Sequence, residues 1–237
     1  MLKDSKSISY PIRINKYLAL HNLTTRRGAD ELIRRKDVLI NGRVAVLGDM
    51  VKEGDDVKIP RDVVNRKYSY FAYNKPCGVI THSPRVDEKS IRDLLQNKRI
   101  FPMGRLDKDS EGLIILTDDG RITEKLLSPE YNHEKEYIVN VRTALKPSFF
   151  RRMSNGVNIG GYRTKPCKVT RINDFTFRIT LTEGKKHQIR RMCGTLECAI
   201  SGLKRIRIMN ILLGSLKPNE LRPIVGEELE EFLSLLQ

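Results

Sequence analysis

One segment of the 237-residue sequence combines a carboxylate, a nearby guanidinium and two flanking glycines, between Gly104 and Gly112. Asp107 lies two residues after Arg105, and an apolar run and a second polar turn follow it. Glycines let a backbone approach another molecule closely, and a carboxylate can act as a nucleophile. Asp107 is therefore predicted to be the reactive group of an enzyme.

Two other interpretations of this segment have to be weighed. From Asp107 the sequence reads D-x-D-x-E-G-x5-D, which is close to the EF-hand calcium loop. Asp118 at the twelfth position is too short for a bidentate ligand, and apolar Ile115 occupies the ninth position, so calcium is disfavoured. Capping of a turn by Asp107 and Ser110 is the structural alternative.

The composition favours a polyanionic partner. The chain carries 44 Lys+Arg against 29 Asp+Glu, a net charge of +15 at pH 7. Basic side chains that neutralise phosphates release counterions, which drives binding to nucleic acid. The four cysteines lack the C-x2-C spacing of a structural zinc site, and the polar start of the chain predicts no signal peptide. We therefore expect a cytoplasmic protein without membrane contact and without a metal.

The first block of the chain, residues 10–60, is predicted to be a small helical and hairpin domain. Apolar spacing and turn signals place helices at 12–20 and 26–36 and strands at 38–40, 43–46 and 49–59. The dipeptide Asn41-Gly42 predicts a tight hairpin turn, and Thr24 or Thr25 an N-cap.

Four arginines of the second predicted helix form a candidate phosphate-binding surface: Arg26, Arg27, Arg34 and Arg35. A solvated helix face is the structural alternative. The pattern from Leu18 to Arg43 resembles the S4 RNA-binding domain, which implies that this surface binds RNA.

The second block is predicted to be a larger α+β domain, residues 68–237, after a linker at 61–67. Its predicted strands are 68–73, 112–117, 135–141, 167–172, 176–181 and 204–213, and its predicted helices are 120–127, 147–154, 185–196 and 227–236. Several strands alternate apolar and polar residues, which favours a mixed, mainly antiparallel sheet flanked by helices.

Four ordered motifs of this chain resemble those of pseudouridine synthases of the RsuA/RluB/RluE/RluF family. They are G-R-L-D-x-x-S-x-G-L at 104–113, K-P-x-G at 75–78, K-x-Y-x-V at 135–139 and the H-Q-I-R-R-M run at 187–192. The segments 133–137 and 207–210 look most like the large-subunit branch of that family, nearest the RluF type.

The resemblance implies an isomerase that cuts the C1′–N1 bond of a uridine in RNA, turns the base and rejoins it through C5. It implies that Asp107 is the catalytic aspartate and that Arg190 pairs with its carboxylate. It also implies that Tyr137 packs against the uracil and that Arg105 fills the gap left by the extruded nucleotide. No cofactor is expected.

Further RNA contacts are expected from Lys75 in the K-P-x-G motif and from Lys186 and Arg191 in the basic stretch 183–207. The expected substrate is ribosomal RNA, of the large subunit on the branch resemblance, with transfer RNA as a further possibility, and the expected state is a monomer. A non-catalytic RNA-binding or ribosome-assembly protein and a DNA-binding protein are the alternatives.

Overall fold

The computed structural model describes residues 9–21, 23–64, 66–97 and 99–236. The chain forms two compact units, Met1–Tyr68 and Ser69–Gln237. The beginning of the polar segment used above for the signal-peptide expectation lies outside the described residues. No helix in the described part of the chain is long and apolar enough to cross a membrane.

The described residues of the N-terminal unit form three helices and five short strands. In chain order they are β1 Ile12–Arg13, α1 Ile14–Leu20, α2 Arg26–Arg34, β2 Leu39–Ile40, β3 Arg43–Val44, β4 Met50–Val51, β5 Val57–Lys58 and α3 Arg61–Val64. Thr25 caps α2, because its Oγ1 accepts a hydrogen bond of 3.0 Å from Gly28 N. Asn41 and Gly42 both have positive φ, of 51° and 80°, as the turn between β2 and β3 requires.

The N-terminal elements differ from the predicted ones in three places, and strand pairing explains two of them. The first helix begins at Ile14 because β1 pairs with β4. The predicted strand 49–59 is two strands, since β4 pairs with β1 while β5 pairs with β2. The predicted linker 61–67 begins with the one-turn helix α3.

The C-terminal unit contains nine strands and five α-helices among its described residues. In chain order they are β6 Tyr70–Lys75, α4 Ile91–Leu94, β7 Phe101–Met103, β8 Glu111–Thr117, α5 Thr123–Leu127, β9 Lys135–Val141, α6 Pro147–Ser154, β10 Lys168–Asn173, β11 Thr176–Leu181, α7 Gln188–Thr195, β12 Ile200–Ile208, β13 Ile211–Leu212, β14 Leu221–Pro223 and α8 Gly226–Ser234. Short 3-10 turns precede α5 and follow it.

All nine strands join one mixed sheet in the order β10-β11-β9-β12-β8-β6-β14, with β13 beside β12 and β7 beside β8. Only the pairing of β12 with β8 is parallel among these described strands. The expected α+β fold with a mixed, mainly antiparallel sheet is therefore confirmed.

The largest hydrophobic core lies between α6, α7 and one face of the sheet. Val139, Phe177 and Ile179 point from the sheet into this core, and Met153 and Met192 meet them from the helices. The side chains on this face belong to odd-numbered positions of β9 and β11, as strand alternation requires. Tyr137 is on the same face of β9 and packs against the edge of the core.

Three short elements of this unit, α4, β7 and β14, are absent from the predicted set and have three or four residues each. The predicted strand 204–213 includes both β12 and β13, although Met209, with φ of 51°, turns the chain between them. The strands β9 and β11 and the helix α6 have the predicted bounds, since their apolar periodicity is long enough to read.

Candidate active site

The Asp107 loop, residues 104–110, connects the antiparallel strands β7 and β8. Gly104 turns into it with φ of 78°. The buried hydroxyl of Thr81 donates to Leu106 O at 2.8 Å and accepts from Leu106 N at 3.1 Å. Ser110 N donates to Asp107 O at 3.0 Å, which closes the turn. The backbone on both sides of Asp107 is therefore fixed by hydrogen bonds.

Lys75 is fully buried and stabilises the same loop through backbone carbonyls. Its Nζ donates to Pro76 O and Val79 O at 2.8 Å each, and lies 3.5 Å from Lys108 O. Burial lowers the pKa of Lys75 to about 8, against the opposing field of nearby acids that include Asp107. In this structure the Lys75 ammonium is bonded to backbone carbonyls and has no exposed surface for the predicted RNA contact.

Asp107 itself presents its carboxylate at the surface. About a third of its side chain, 33%, is exposed, and His187 Nδ1 lies 3.5 Å from Oδ2. His187 has a left-handed backbone, φ 53° and ψ 31°, immediately before α7. The Asp107 side chain therefore does not cap the turn, because its carboxylate accepts no backbone hydrogen bond among the described contacts.

Arg190 binds the Asp107 loop, but at atoms other than the expected Asp107 carboxylate. Its Nη2 donates to Asp109 O at 2.7 Å and to Ser110 Oγ at 3.2 Å. The expected ion pair with Asp107 is not formed, because both bonds direct the guanidinium at the end of the loop. Arg190 therefore holds the loop backbone against α7.

Arg205 connects the Asp107 loop to Tyr137. It is 4% exposed, and it is the β12 residue directly opposite Tyr137 of β9. Its Nε donates to Leu113 O at 2.7 Å, its Nη1 to Arg105 O at 3.4 Å, and its Cζ lies 6.0 Å from the Tyr137 ring centroid. The predicted residues Arg105, Asp107, Tyr137 and Arg190 are therefore tied to one region of the molecule.

A glycine makes this connection sterically possible. Gly112 is paired with Arg205 in the parallel junction of β8 and β12, and its φ is 106°. A Cβ on Gly112 would lie only 2.2 Å from Arg205 O. The glycine after the Asp107 loop is thus required by close approach of two backbones within the protein.

Two family models match this chain. Residues 69–195 match the family described as RNA pseudouridylate synthase, which is more than half of the chain, and residues 12–57 match the S4 domain. The chain belongs to the RNA pseudouridine synthase family.

Relatives of this synthase share most of its length. It is 40% identical over 242 residues to the dual-specificity RNA pseudouridine synthase RluF of Escherichia coli strain K12, covering 100% of this chain and 82% of the relative. It is 29% identical to the ribosomal small subunit pseudouridine synthase A of Haemophilus influenzae, covering 94% and 100%. A crystal structure of a pseudouridylate synthase superposes with a TM-score of 0.69 at 28% identity, covering 95% and 100%. The chain is an isomerase that acts on RNA.

The calcium alternative does not fit the synthase's geometry. Glu111–Thr117 is a strand, and Ile115, at the ninth position of the calcium pattern, has no exposed surface. Across residues 9–21, 23–64, 66–97 and 99–236, no three His, Cys, Asp or Glu side chains are grouped to hold a metal ion.

The other basic residues predicted to bind RNA are exposed. Arg105 and Lys186 belong to the Asp107 loop and to the turn before α7. Arg191 is exposed at residue level, although its Nη2 donates to Ile159 O. In the N-terminal unit the four predicted arginines of α2 and its C-cap are all exposed: Arg26, Arg27, Arg34 and Arg35.

Sequence reasoning missed Thr81, Arg205 and the position of His187 in the synthase. Thr81 and Arg205 carried no signal, because their partners Leu106 and Leu113 lie 25 and 92 residues away in the chain. His187 is part of the H-Q-I-R-R-M motif, but the motif does not predict that it lies close to Asp107.

Proposed function

We propose that this synthase isomerises a uridine of structured ribosomal RNA through nucleophilic attack by Asp107. One observation carries the proposal: the loop backbone around Asp107 is fixed by Thr81, Ser110 and Arg190, while the carboxylate stays one-third exposed. A held backbone with an accessible nucleophile is what covalent catalysis needs.

The reaction needs no net change in atoms or electrons, since uridine and pseudouridine are isomers. Asp107 attacks the sugar or the base, the C1′–N1 bond breaks, and the detached uracil turns. C5 then bonds to C1′, N1 gains a proton and C5 loses one. The carboxylate is expelled unchanged, so it acts as a nucleophile and then as a leaving group.

Tyr137 and Arg105 are proposed to handle the extruded nucleotide. The Tyr137 ring packs against the uracil, and Arg205 fixes that ring from the neighbouring strand. The exposed Arg105 side chain enters the base stack that the uridine leaves, while Arg205 holds its carbonyl. Extrusion costs a few kcal/mol, and a side chain in the vacated position offsets part of that cost.

Arg190 and His187 are proposed as positioning residues. Arg190 fixes the backbone of Asp109 and the hydroxyl of Ser110, so it acts on Asp107 through the loop. His187 is the only described side chain in ion-pair range of the Asp107 carboxylate. It therefore limits the orientations that the free carboxylate adopts.

RNA binding is proposed to use two exposed basic surfaces. The first consists of the α2 arginines, Arg26, Arg27, Arg34 and Arg35, and the second of Lys186 and Arg191 with Arg105. Phosphate contacts of this kind position the RNA, and the extruded uridine and its neighbours provide the specificity.

We propose the large ribosomal subunit RNA as the substrate, with transfer RNA as the second class to be tested. The similar Escherichia coli protein is called dual-specificity, and the Haemophilus influenzae relative is called a small-subunit enzyme. The higher identity to the first, 40% against 29%, favours its branch. Pseudouridine mapping in ribosomal and transfer RNA from cells with and without this gene identifies the target.

The catalytic proposal is tested by Asp107→Asn, with Asp109→Asn as the matched control. The two carboxylates are two residues apart in one loop, and Asp109 is exposed. Asp107→Asn should abolish pseudouridine formation while the Kd for RNA changes less than about threefold, because the substitution is nearly isosteric. Asp109→Asn should remain active. Turnover in Asp107→Asn would refute the role of Asp107 as the nucleophile and would favour a non-catalytic role for the loop.

A further inference from the structure

Glu183, in the segment between β11 and α7, is a buried carboxylate with three hydrogen-bond donors. It is 4% exposed, and it accepts from Tyr162 Oη at 2.5 Å, from Lys165 N at 3.1 Å and from Gln188 Nε2 at 2.7 Å. All three donors are neutral groups. Transfer of a carboxylate out of water is costly even when the group is hydrogen-bonded. The elements that Glu183 connects indicate what this burial achieves.

Gln188 connects Glu183 to the turn before α7, residues 185–188. Its side chain is buried and bonds in two directions: Nε2 donates to Glu183, and Oε1 accepts from Lys185 N at 2.9 Å. A carboxylate only accepts and a backbone N–H only donates, so the orientation of this amide is fixed. Gln188 N also donates to Lys185 O at 3.0 Å. Two hydrogen bonds therefore close the 185–188 turn between its first and last residues.

Tyr162 fixes the first residue of the same turn. Lys185 Nζ lies 4.5 Å from the centroid of the Tyr162 ring, within the range of a cation–π interaction. The hydroxyl of this ring donates to Glu183, and that bond raises the pKa of Tyr162 above its ordinary value. The phenol therefore keeps its proton and remains a donor. Both the backbone and the side chain of Lys185 are thus held by groups that bind Glu183.

His187, inside this turn, has a backbone conformation that needs such support. Its φ of 53° and ψ of 31° are left-handed, which is uncommon for a residue other than glycine. Strained backbones of this kind persist where surrounding contacts over-determine them, and they cluster at active sites. The bonds across the 185–188 turn are these contacts. The side chain that they orient places Nδ1 3.5 Å from Asp107 Oδ2.

We propose that Glu183, acting through Gln188, is a positioning residue that sets the His187 imidazole beside the Asp107 carboxylate. The inference rests on the proposed function for the role of Asp107. Without the bonds to Glu183 the turn relaxes toward ordinary backbone angles, and the imidazole moves away from the carboxylate. Glu183 and Gln188 are both buried, so they act on the reaction through the turn and not by contact with RNA.

NMR of the histidine rings in the full-length protein tests the positioning. The chain has four histidines, and the signals of His187 are those that His187→Asn removes. In the wild-type background Asp107→Asn should shift the His187 signals, because the two side chains are neighbours. Gln188→Met keeps the size of the side chain but loses both the donor to Glu183 and the acceptor for Lys185. In that background Asp107→Asn should shift the His187 signals much less.

Single-turnover kinetics test the consequence for the reaction. Gln188→Met should lower the rate constant of pseudouridine formation about 10- to 100-fold, because a displacement of about 1 Å at a reacting group is costly. In a His187→Asn background Gln188→Met should have no further effect on this rate constant, since both substitutions remove the same interaction. Asparagine tolerates the left-handed backbone, so His187→Asn removes the imidazole and keeps the turn.

Two tyrosines provide a matched pair of milder variants. Tyr162→Phe removes the hydroxyl that donates to Glu183, and Tyr73→Phe removes a hydroxyl that donates to Asn219 Oδ1 at 2.7 Å. Each variant loses one hydrogen bond and keeps its ring, so both should fold. Tyr162→Phe should lower the rate constant about three- to tenfold, for one lost bond to a carboxylate, and Tyr73→Phe should leave it within about twofold.

Three results would overturn the proposal. The first is an equal response of His187 to Asp107→Asn in the wild-type and Gln188→Met backgrounds. The second is full additivity of Gln188→Met with His187→Asn, since Gln188 would then act through another group. The third is a rate loss in Tyr73→Phe as large as that in Tyr162→Phe, which would indicate a general loss of stability. Failure of Asp107 as the nucleophile is distinguished from all three, because it appears as turnover by Asp107→Asn.

Discussion

Lys75→Met is expected to change how the stability of the protein depends on pH. Lys75 is a fully buried ammonium whose pKa is lowered from 10.5 to about 8. Between these values the unfolded chain binds more protons than the folded one, so stability rises with pH. The full difference corresponds to about 3.4 kcal/mol at 1.36 kcal/mol per pKa unit.

The change in stability that can be measured between pH 7 and pH 9 is smaller than this full difference. From pH 7 to pH 9 the wild type should gain about 1.3 kcal/mol relative to Lys75→Met, because Lys75 is deprotonated in the folded state before it is in the unfolded one. At pH 7 the two proteins should be close in stability. The variant removes the cost of a buried charge, but it leaves the carbonyls of Pro76 and Val79 without a donor, at about 1–3 kcal/mol each.

Urea unfolding of both proteins at pH 7, 8 and 9 measures this difference directly. Titrating groups that do not interact with Lys75 cancel in the comparison, since both proteins contain them. The matched control is Lys168→Met, whose side chain is exposed on the edge strand β10 and whose difference from the wild type should stay constant. A difference in stability between wild type and Lys75→Met that does not widen with pH would refute the description of Lys75 as a buried cation with a lowered pKa.

The remaining predictions concern the loop, the sheet junction and the RNA surface. Arg190→Met loses the donor to Ser110 and the loop backbone, so kcat should fall about 10- to 100-fold with a nearly unchanged KM for RNA; an equal rise in KM would mean that Arg190 binds RNA instead. Gly112→Ala should lower the free energy of unfolding by about 3 kcal/mol in urea titrations, because its Cβ meets a backbone oxygen at 2.2 Å. Gly161→Ala, with a similar positive φ but open space, should cost less, and equal losses would contradict the steric argument. Arg34→Gln should reduce the slope of log K against log salt by about 0.7 to 0.9 in RNA-binding titrations, whereas an unchanged slope would remove α2 from the RNA surface.

The sequence alone predicts those elements whose signal lies in neighbouring residues. The bounds of β9, β11 and α6 follow from apolar periodicity, and the turn after β2 from Asn41-Gly42. It does not predict the environment of a side chain whose partners are distant in the chain. Lys75 has the chemistry of a surface residue, and only the folded sheet and the Asp107 loop enclose it.

The site residues divide in the same way. Asp107, Tyr137 and Arg190 could be named because their motifs are contiguous in the chain. The actual contacts of Arg190 could not, since they depend on which part of the Asp107 loop faces α7. Arg205 could not be predicted, because the register between β12 and β9 places it opposite Tyr137 and no sequence motif marks it.

The single parallel junction of the sheet has a consequence for how the enzyme is assembled. The strands on the β8 side of this junction supply the Asp107 loop, and those on its β12 side supply Tyr137, so each half of the domain holds an incomplete set of the proposed reacting groups. The end of the chain then returns to the first half, where β14 pairs with β6 and Phe232 of α8 packs edge-on against Tyr70. A nascent chain therefore cannot complete this domain until α8 has left the ribosome.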